Sequence, residues 1–244
     1  NLRLLQALEE TPERYLSMDV VKQKWNISPA TLKTMQQDGV ITVISKERYR
    51  TAGVYDYKEN FQITLNNEQQ AVVDEVTGDM EQGRQKTYLL HGITGSGKTE
   101  VYVKIVKKTI EMGKQAIILI PEIALTYQTV RYFRNYFGDR VTIINSRLSD
   151  GEKYDQFMRA KNGDVDVVIG PRSALFAPFQ NLGIIIIDEE HETSYKSDYP
   201  PKYHARETAV KRAELEHASV LLGSATPSVE SYHRALNGTY RLLE

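Results

Sequence analysis

The sequence predicts an α/β protein with a doubly wound, mostly parallel sheet, preceded by a small winged-helix domain. From residue 65 onward, short runs of β-branched residues alternate with amphipathic helical patterns, which is typical of strands buried on both faces of a parallel sheet. A glycine-rich loop separates the first run from a helical pattern, in the order expected of a phosphate-binding unit. We therefore expect a winged helix at 1–58, a linker at 59–64 and an α/β domain at 65–244.

The first domain carries three helical patterns and then a hairpin pattern. Ser28 and Pro29 are a natural N-cap and first helical residue for the third helix, and Gly39 suits its left-handed end. Residues 40–50 predict the hairpin, or wing. Winged helices bind DNA through the third helix or the wing, but a protein-interaction module fits the pattern equally well. The basic residues available for phosphate contacts are Lys33, Lys46, Arg48 and Arg50.

Six short apolar runs predict the strands of the second domain. They are Thr87–Leu90, Ala116–Ile120, Val141–Ile144, Val165–Ile169, Ile184–Ile187 and Val220–Leu222. Helical patterns lie between them, which indicates a doubly wound α/β class.

Composition excludes several classes of protein. The chain has 244 residues, of which 41% are hydrophobic and 26% charged, and no apolar run approaches the ~20 residues of a membrane helix. We expect no membrane partner. Zero cysteines exclude a disulfide framework and cysteine-ligated zinc in this segment, and are compatible with the cytoplasm. The net charge of −1 means that any nucleic-acid binding depends on local patches. A first residue of Asn1 rather than Met predicts a piece of a longer protein.

The strongest motif is a loop that fits G-x-x-x-x-G-K-[ST], the phosphate-binding P-loop. Converging backbone N–H groups would bind ATP phosphates, Lys98 would reach the β and γ phosphates, and the Thr99 hydroxyl would ligate Mg²⁺. The candidate nucleotide-binding residues of this loop are Gly92, Thr94, Gly95, Ser96, Gly97, Lys98 and Thr99.

Two further motifs follow predicted strands. After four isoleucines come Asp188, Glu189, Glu190 and His191. In P-loop ATPases the first acid holds Mg²⁺ and the next orients the attacking water, so Lys98, Asp188 and Glu189 are the candidate catalytic residues. The run Leu222–Ser228 ends another strand in small hydroxyl residues, a pattern that is common in ordinary turns.

In this order, the P-loop, Asp-Glu-Glu-His and Ser-Ala-Thr resemble the first, RecA-like motor lobe of superfamily 2 helicases. The strings GITGSGKTEVY, LIPEIALT, GPRSALFAPFQNLGIIIIDEEHETSYK, YHARETAVKRA and LLGSATPS narrow the resemblance to the bacterial replication-restart helicases, over about residues 65–230. Two positions depart from that pattern: Asn145 stands where a histidine is expected, and Pro171 where threonine is frequent.

The resemblance implies roles for further residues. Gln69 matches an adenine-reading glutamine, for which an ordinary exposed helix residue is the alternative. Arg172 matches a phosphate contact, for which a structural ion pair is the alternative. The residues implied to grip the DNA backbone are Pro121, Glu122, Thr126, Arg172 and Ser173.

The segment 195–206 resembles an aromatic-rich loop that links DNA occupancy to ATP hydrolysis. Tyrosines interleaved with basic residues suit single strands of any sequence. His191 lies between this loop and the acids, where it would relay the state of one to the other; a structural histidine is the alternative. The candidate DNA or coupling residues are His191, Tyr195, Lys196, Tyr199, Tyr203, Arg206, Ser224 and Thr226.

The resemblance implies an ATP- and Mg²⁺-dependent 3′→5′ DNA helicase of replication restart and primosome assembly. The implied partners are forked and single-stranded DNA, primosome proteins and single-strand-binding proteins, with a monomeric, nucleoid-associated protein in the cytoplasm. The family's second lobe, its arginine finger and its zinc region lie outside this chain, so we expect weak ATP binding and very slow hydrolysis from the chain alone. A P-loop ATPase for non-DNA cargo and a non-catalytic DNA- or protein-binding module are the alternatives.

Overall fold

A computed structural model gives the structure of residues 2–11, 16, 18–25, 27–43 and 64–244. The chain divides into two compact units, residues 1–48 and 49–244. Across the part of the chain that the structure describes, no helix is both long enough and apolar enough to cross a bilayer.

The first unit contains helices α1 (Leu2–Glu10), α2 (Met18–Trp25) and α3 (Pro29–Gln37). Leu4, Val21, Leu32 and Met35 form its buried core. As predicted, the Ser28 hydroxyl caps α3 by accepting a hydrogen bond from the Thr31 N–H at 3.2 Å, and Gly39 has a φ of 70°.

The wing is not tested by this structure. Residues 41–43 form no strand, and residues 44–50 of the predicted wing and 59–63 of the predicted linker lie outside the described residues. Lys46, Arg48 and Arg50 lie there too, so the winged helix stays a prediction.

Within residues 64–244, seven parallel strands form one sheet. They are β1 (Thr87–His91), β2 (Gln115–Leu119), β3 (Val141–Ile143), β4 (Val167–Gly170), β5 (Leu182–Ile187), β6 (Ser219–Ser224) and β7 (Arg241–Leu243). The order across the sheet is β3-β4-β2-β5-β6-β1-β7. Six of these strands were predicted from the sequence; β7 was not.

Helices cover both faces of the sheet, which confirms the doubly wound class. The helices are α4 (Asn67–Glu81), α5 (Lys98–Glu111), α6 (Tyr127–Phe137), α7 (Asp150–Asn162), α8 (Ala205–Glu216) and α9 (Val229–Leu236). One buried cluster joins the sheet to α4, α5 and α6, and the other joins it to α7, α8 and α9. Strand β5 serves both, because Ile184 and Ile186 face the first cluster while Ile185 and Ile187 face the second.

The strand order places three motif loops side by side. Strands β5, β6 and β1 are consecutive neighbours in the sheet, and all their carboxyl ends lie at one edge because the strands are parallel. The P-loop follows β1, the acids follow β5 and Ser224 ends β6. Ligands of open α/β sheets bind at this edge.

Candidate nucleotide-binding site and DNA-side cleft

The P-loop has the backbone conformation that its glycines permit. Gly95 and Gly97 have φ values of 80° and 81°, in the left-handed region that favours glycine. The Gly92 N–H donates to the Ser224 carbonyl at 3.2 Å, which ties the loop to the end of β6. A Cβ on Gly92 would lie 2.8 Å from the Ser96 hydroxyl oxygen, so a side chain there would force the Ser96 hydroxyl to move.

Lys98 begins α5 and is held inside the loop. Its ammonium group donates to the carbonyls of Gly92 at 2.7 Å and Ile93 at 3.3 Å, and the residue is only 9% exposed. A phosphate bound at the loop would therefore contact a lysine whose ammonium group is already oriented by the backbone carbonyls of the loop.

Gln69 is bonded to the P-loop. Its side-chain amide donates to the Ser96 carbonyl at 2.8 Å, and its side-chain oxygen accepts from the Asn66 N–H at 2.9 Å. The second bond completes the capping box of α4. Gln69 is therefore half-buried and held by hydrogen bonds, and an adenine contact by Gln69 stays a proposal that requires sharing these bonds.

Asp188 follows β5 and is held by two tyrosine hydroxyls. Tyr102 donates to its carboxylate oxygen Oδ1 at 3.0 Å, and Tyr195 donates to its backbone carbonyl at 2.7 Å. Burial raises the pKa of the Asp188 carboxyl group, and the hydrogen bond from Tyr102 partly opposes that rise. The next residue, Glu189, has a φ of 46°, so the chain turns sharply between the two acids.

The side-chain oxygens that the P-loop and the acids offer are of a kind that suits Mg²⁺. In the described residues no cluster of three or more histidine, cysteine, aspartate or glutamate side chains is arranged to hold a metal. Mg²⁺ in nucleotide sites takes one or two protein oxygens and fills its other positions with phosphates and waters. The Thr99 hydroxyl and the Asp188 carboxylate are a donor set of that kind.

His191 lies between the acids and the Ser-Ala-Thr segment. Its Nδ1 is 2.8 Å from the Ser224 hydroxyl and 3.7 Å from the Glu189 carboxylate, and its Nε2 is 3.5 Å from the Thr226 hydroxyl. The Thr226 N–H in turn donates to the Ser224 hydroxyl at 3.0 Å. The structure therefore brings together these four sequence-predicted residues, although their roles stay proposals.

Burial contradicts the expectation that Arg206 offers its charge to DNA, whereas a part in coupling stays a proposal. Arg206 is 6% exposed, and its guanidinium group lies 2.7 Å from the buried carboxylate of Glu190. The same carboxylate accepts from the Ser228 N–H at 2.6 Å and the Ser231 hydroxyl at 2.9 Å. A buried cation needs a partner of this kind, and this one turns Arg206 away from solvent.

Burial contradicts the expectation that Tyr195 offers a stacking surface, whereas its predicted part in coupling stays a proposal. Tyr195 is 1% exposed, and its hydroxyl bonds to the carbonyls of Leu119 at 3.0 Å and of Asp188. Tyr203 is half-buried, with its ring 5.2 Å from that of Phe176. Tyr199 is 79% exposed. It is the member of the three predicted tyrosines that fully faces solvent, beside the exposed Lys196 and Lys202.

Arg172 supports the loop after the acids. One guanidinium nitrogen, Nη1, donates to the carbonyls of Ser194 at 2.8 Å and Lys196 at 2.6 Å. These are the neighbours of Tyr195. These acceptors are neutral backbone oxygens and not the carboxylate of a structural ion pair. The contacts therefore do not neutralise the charge of Arg172.

Four predicted DNA-backbone residues line one cleft of about 310 Å³. They are Pro121, Glu122, Arg172 and Ser173. The cleft lies beyond the carboxyl ends of β2, β3 and β4, and its wall includes Lys153 of α7. The fifth predicted residue, Thr126, caps α6 by accepting from the Thr129 N–H at 3.3 Å. Sequence reasoning missed Lys153, which belongs to none of the recognised motifs.

Comparisons with known proteins agree with this geometry. The DEAD/DEAH box helicase family model matches residues 66–235. Replication restart protein PriA of Bacillus subtilis is 47% identical over 224 residues, covering 91% of this chain and 28% of that protein. PriA of Chlamydia pneumoniae is 50% identical over 179 residues, or 73% of this chain and 24% of its own. The chain thus spans about a quarter of the length of these relatives.

Solved structures share the fold. RecG bound to a three-way DNA junction is 27% identical, with a TM-score of 0.56, over 75% of this chain and 24% of RecG. The UvsW helicase of bacteriophage T4 is 17% identical, with a TM-score of 0.51, over 95% of this chain and 79% of its own, and supports the fold alone. The second unit is a RecA-like lobe, the chain is similar to PriA over most of its length, and it belongs to the DEAD/DEAH box helicase family.

Proposed function

We propose that the chain carries the ATP-binding lobe of a DNA helicase that acts in replication restart. The observation that carries the proposal is the junction at the ends of β1, β5 and β6, where the P-loop, the acids and the Ser-Ala-Thr segment are joined by hydrogen bonds. In the proposed reaction, water attacks the γ-phosphate of ATP, the bond to the β–γ bridging oxygen breaks, and ADP and inorganic phosphate leave. This hydrolysis drives 3′→5′ movement along single-stranded DNA at stalled forks.

Each polar group at the junction has a distinct part in this proposal. The loop Gly92–Thr99 cradles the phosphates, Lys98 contacts the β and γ phosphates, and Gln69 contacts the adenine. Glu189 orients the attacking water. Thr99 and Asp188 would hold Mg²⁺, which would supply neutralisation of charge on the phosphates.

The cleft beside the junction is proposed to hold the DNA backbone. Arg172 and Ser173 offer the cation and the hydroxyl donor that phosphates bind. Pro121 and Glu122 line the same cleft, where the Glu122 carboxylate accepts from the Ser146 N–H at 3.1 Å. Thr126 lies at the adjoining start of α6. The exposed ring of Tyr199 and the exposed ammonium group of Lys196 are suited to stacking on a base and pairing with a phosphate.

The chain supplies one half of the proposed motor. We infer that a second lobe supplies an arginine, which in related systems contributes a factor of ~10³–10⁵ in rate, so that the chain alone hydrolyses ATP very slowly. The proposal includes forked DNA, primosome proteins and single-strand-binding proteins as partners. It also includes a monomeric state, a cytoplasmic location and zinc only in regions outside this chain.

Lys98→Ala in the full-length protein that contains this chain tests the proposal. We expect loss of ATP hydrolysis stimulated by single-stranded DNA, measured by phosphate release. Lys104→Ala, on the same helix but beyond the loop, is the matched control and should keep the activity. Hydrolysis that is indifferent to DNA would favour non-DNA cargo, and full function of Lys98→Ala would favour a non-catalytic module; either result would overturn the proposal.

A further inference from the structure

We propose that Tyr102 is a positioning residue that orients the Asp188 carboxylate for the metal, an inference that rests on the proposed function. The Tyr102 hydroxyl lies 3.0 Å from Oδ1 of Asp188 and donates to it. Tyr102 follows Lys98 by four residues on α5, so both side chains lie on one face of the helix. One turn of α5 thereby supplies the phosphate-binding lysine and the partner of the acid.

Three elements fix the position of this hydroxyl. The ring of Tyr102 is 1% exposed and packs in the core between α5 and the sheet. Gly223 of β6 lies directly against the hydroxyl, and a Cβ at that position would collide with it. Asp188 at the end of β5 completes the contact. Because Oδ1 is held, the directions available to the second carboxylate oxygen are restricted.

The hydroxyl is not needed for packing. Phenylalanine would fill the same apolar space, and a buried hydroxyl costs free energy unless it forms a hydrogen bond. The bond to Asp188 offsets that cost. Partners that hold metal ligands in place commonly contribute 10–100-fold to metal affinity or activity. The Tyr102 hydroxyl is therefore suited to orienting the Asp188 carboxylate.

The test compares nucleotide affinity with and without metal. A fluorescent ATP analogue is titrated into the 244-residue chain in Mg²⁺ and in EDTA, and the ratio of the two affinities is the readout. We expect Tyr102→Phe to reduce the ratio about tenfold while leaving the affinity in EDTA unchanged. Tyr88→Phe is the matched control, because Tyr88 is equally buried and also donates to a carboxylate, that of Asp79 at 2.7 Å.

A double-mutant cycle separates orientation of the acid from a general loss of structure. In an Asp188→Ala background, Tyr102→Phe should cause no further fall in the ratio, since its effect acts through the carboxylate. Both affinities come from the same sample, so partial unfolding would not mimic the result, and melting curves give the folded fraction. An unchanged ratio in Tyr102→Phe would overturn the inference alone. Absence of Mg²⁺-dependent nucleotide binding in the unaltered chain would overturn it together with the proposed function.

Discussion

The hydroxyl of Tyr195 donates a hydrogen bond of 2.7 Å to the backbone carbonyl of Asp188. The two neighbours of Tyr195, Ser194 and Lys196, accept hydrogen bonds from Arg172. A short series of direct contacts therefore joins the wall of the cleft to the acid proposed to hold Mg²⁺. If Arg172 moved towards a DNA phosphate, as proposed, its bonds to Ser194 and Lys196 would change, and Tyr195 would transmit that change to the backbone of Asp188.

Removing the Tyr195 hydroxyl should destabilise the lobe. In Tyr195→Phe the half-buried carbonyl of Asp188 loses its hydroxyl donor, while the Leu119 carbonyl keeps the Asp188 N–H at 2.9 Å. An unsatisfied group of this kind costs about 1–3 kcal/mol. Urea unfolding of the chain measures the change. Tyr199→Phe alters an exposed tyrosine of the same loop and should change the free energy of unfolding by less than about 0.5 kcal/mol. Equal stabilities of the two variants would contradict this prediction.

Replacing Arg172 tests whether it pairs with a DNA phosphate. We expect Arg172→Ala to weaken single-stranded DNA binding by the full-length protein. It should also reduce the slope of log affinity against log salt by about 0.7, since one phosphate contact is lost. Fluorescence anisotropy at several salt concentrations gives the slope. Lys211→Ala, an exposed cation on α8, is the control. A weaker affinity with an unchanged slope would mean that Arg172 acts only by supporting the loop.

Breaking the Glu190–Arg206 pair should cost stability. Arg206→Met leaves the Glu190 carboxylate buried without its cation, and such a change costs about 3–5 kcal/mol. The double variant Glu190→Gln/Arg206→Met should lose less than the sum of the single variants, because neither charge is then left alone. Urea unfolding of all three variants checks both expectations. Additive losses would show that the two side chains do not act as a pair.

Acid should remove the contribution of Asp79. Its carboxylate accepts from Tyr88 and lies 2.7 Å from the Lys86 ammonium and 2.5 Å from the Arg84 guanidinium. Burial acts to raise its pKa, but the hydrogen bonds from these partners outweigh burial and lower the pKa from 3.8 to about 2.

Because the folded pKa lies below the unfolded one, the carboxylate stabilises the fold above pH ~4, by at most about 2 kcal/mol. That contribution is lost as the pH falls from ~4 to ~2. Urea unfolding at a series of pH values should show the difference between the unaltered chain and Asp79→Asn shrinking over this range. A difference independent of pH would contradict the assignment.

The sequence was most informative where a residue pattern is compatible with only one backbone conformation. Four consecutive isoleucines before Asp188 predicted a fully buried strand, and β5 is one. The three-residue strand β7 was missed because Arg241 and Leu242 carry no periodic pattern over so short a length. The glycines of the P-loop and the N-cap at Ser28 were recognisable because their positions need particular backbone conformations.

Side-chain direction accounts for the errors at the site. Tyrosines and basic residues interleaved over 195–206 predicted an open DNA-binding face, yet Tyr195 and Arg206 point inward. Their partners, the Asp188 carbonyl and the Glu190 carboxylate, are neighbours only after β5 has been placed in the sheet. Tyr102 was missed for the same reason, since its position on α5 is indistinguishable from that of a core residue until Gly223 and Asp188 lie beside it.

Strand β5 lies between β6, on the side of the P-loop, and β2, on the side of the cleft. A kinetic distinction between two kinds of substitution follows from that central place. Substitutions in the loop after β1 should alter how the rate of ATP hydrolysis by the full-length protein depends on ATP concentration. Substitutions after β4 should alter how that rate depends on the concentration of single-stranded DNA. Substitutions at the end of β5 should move both at once, because that turn has each site as a neighbour.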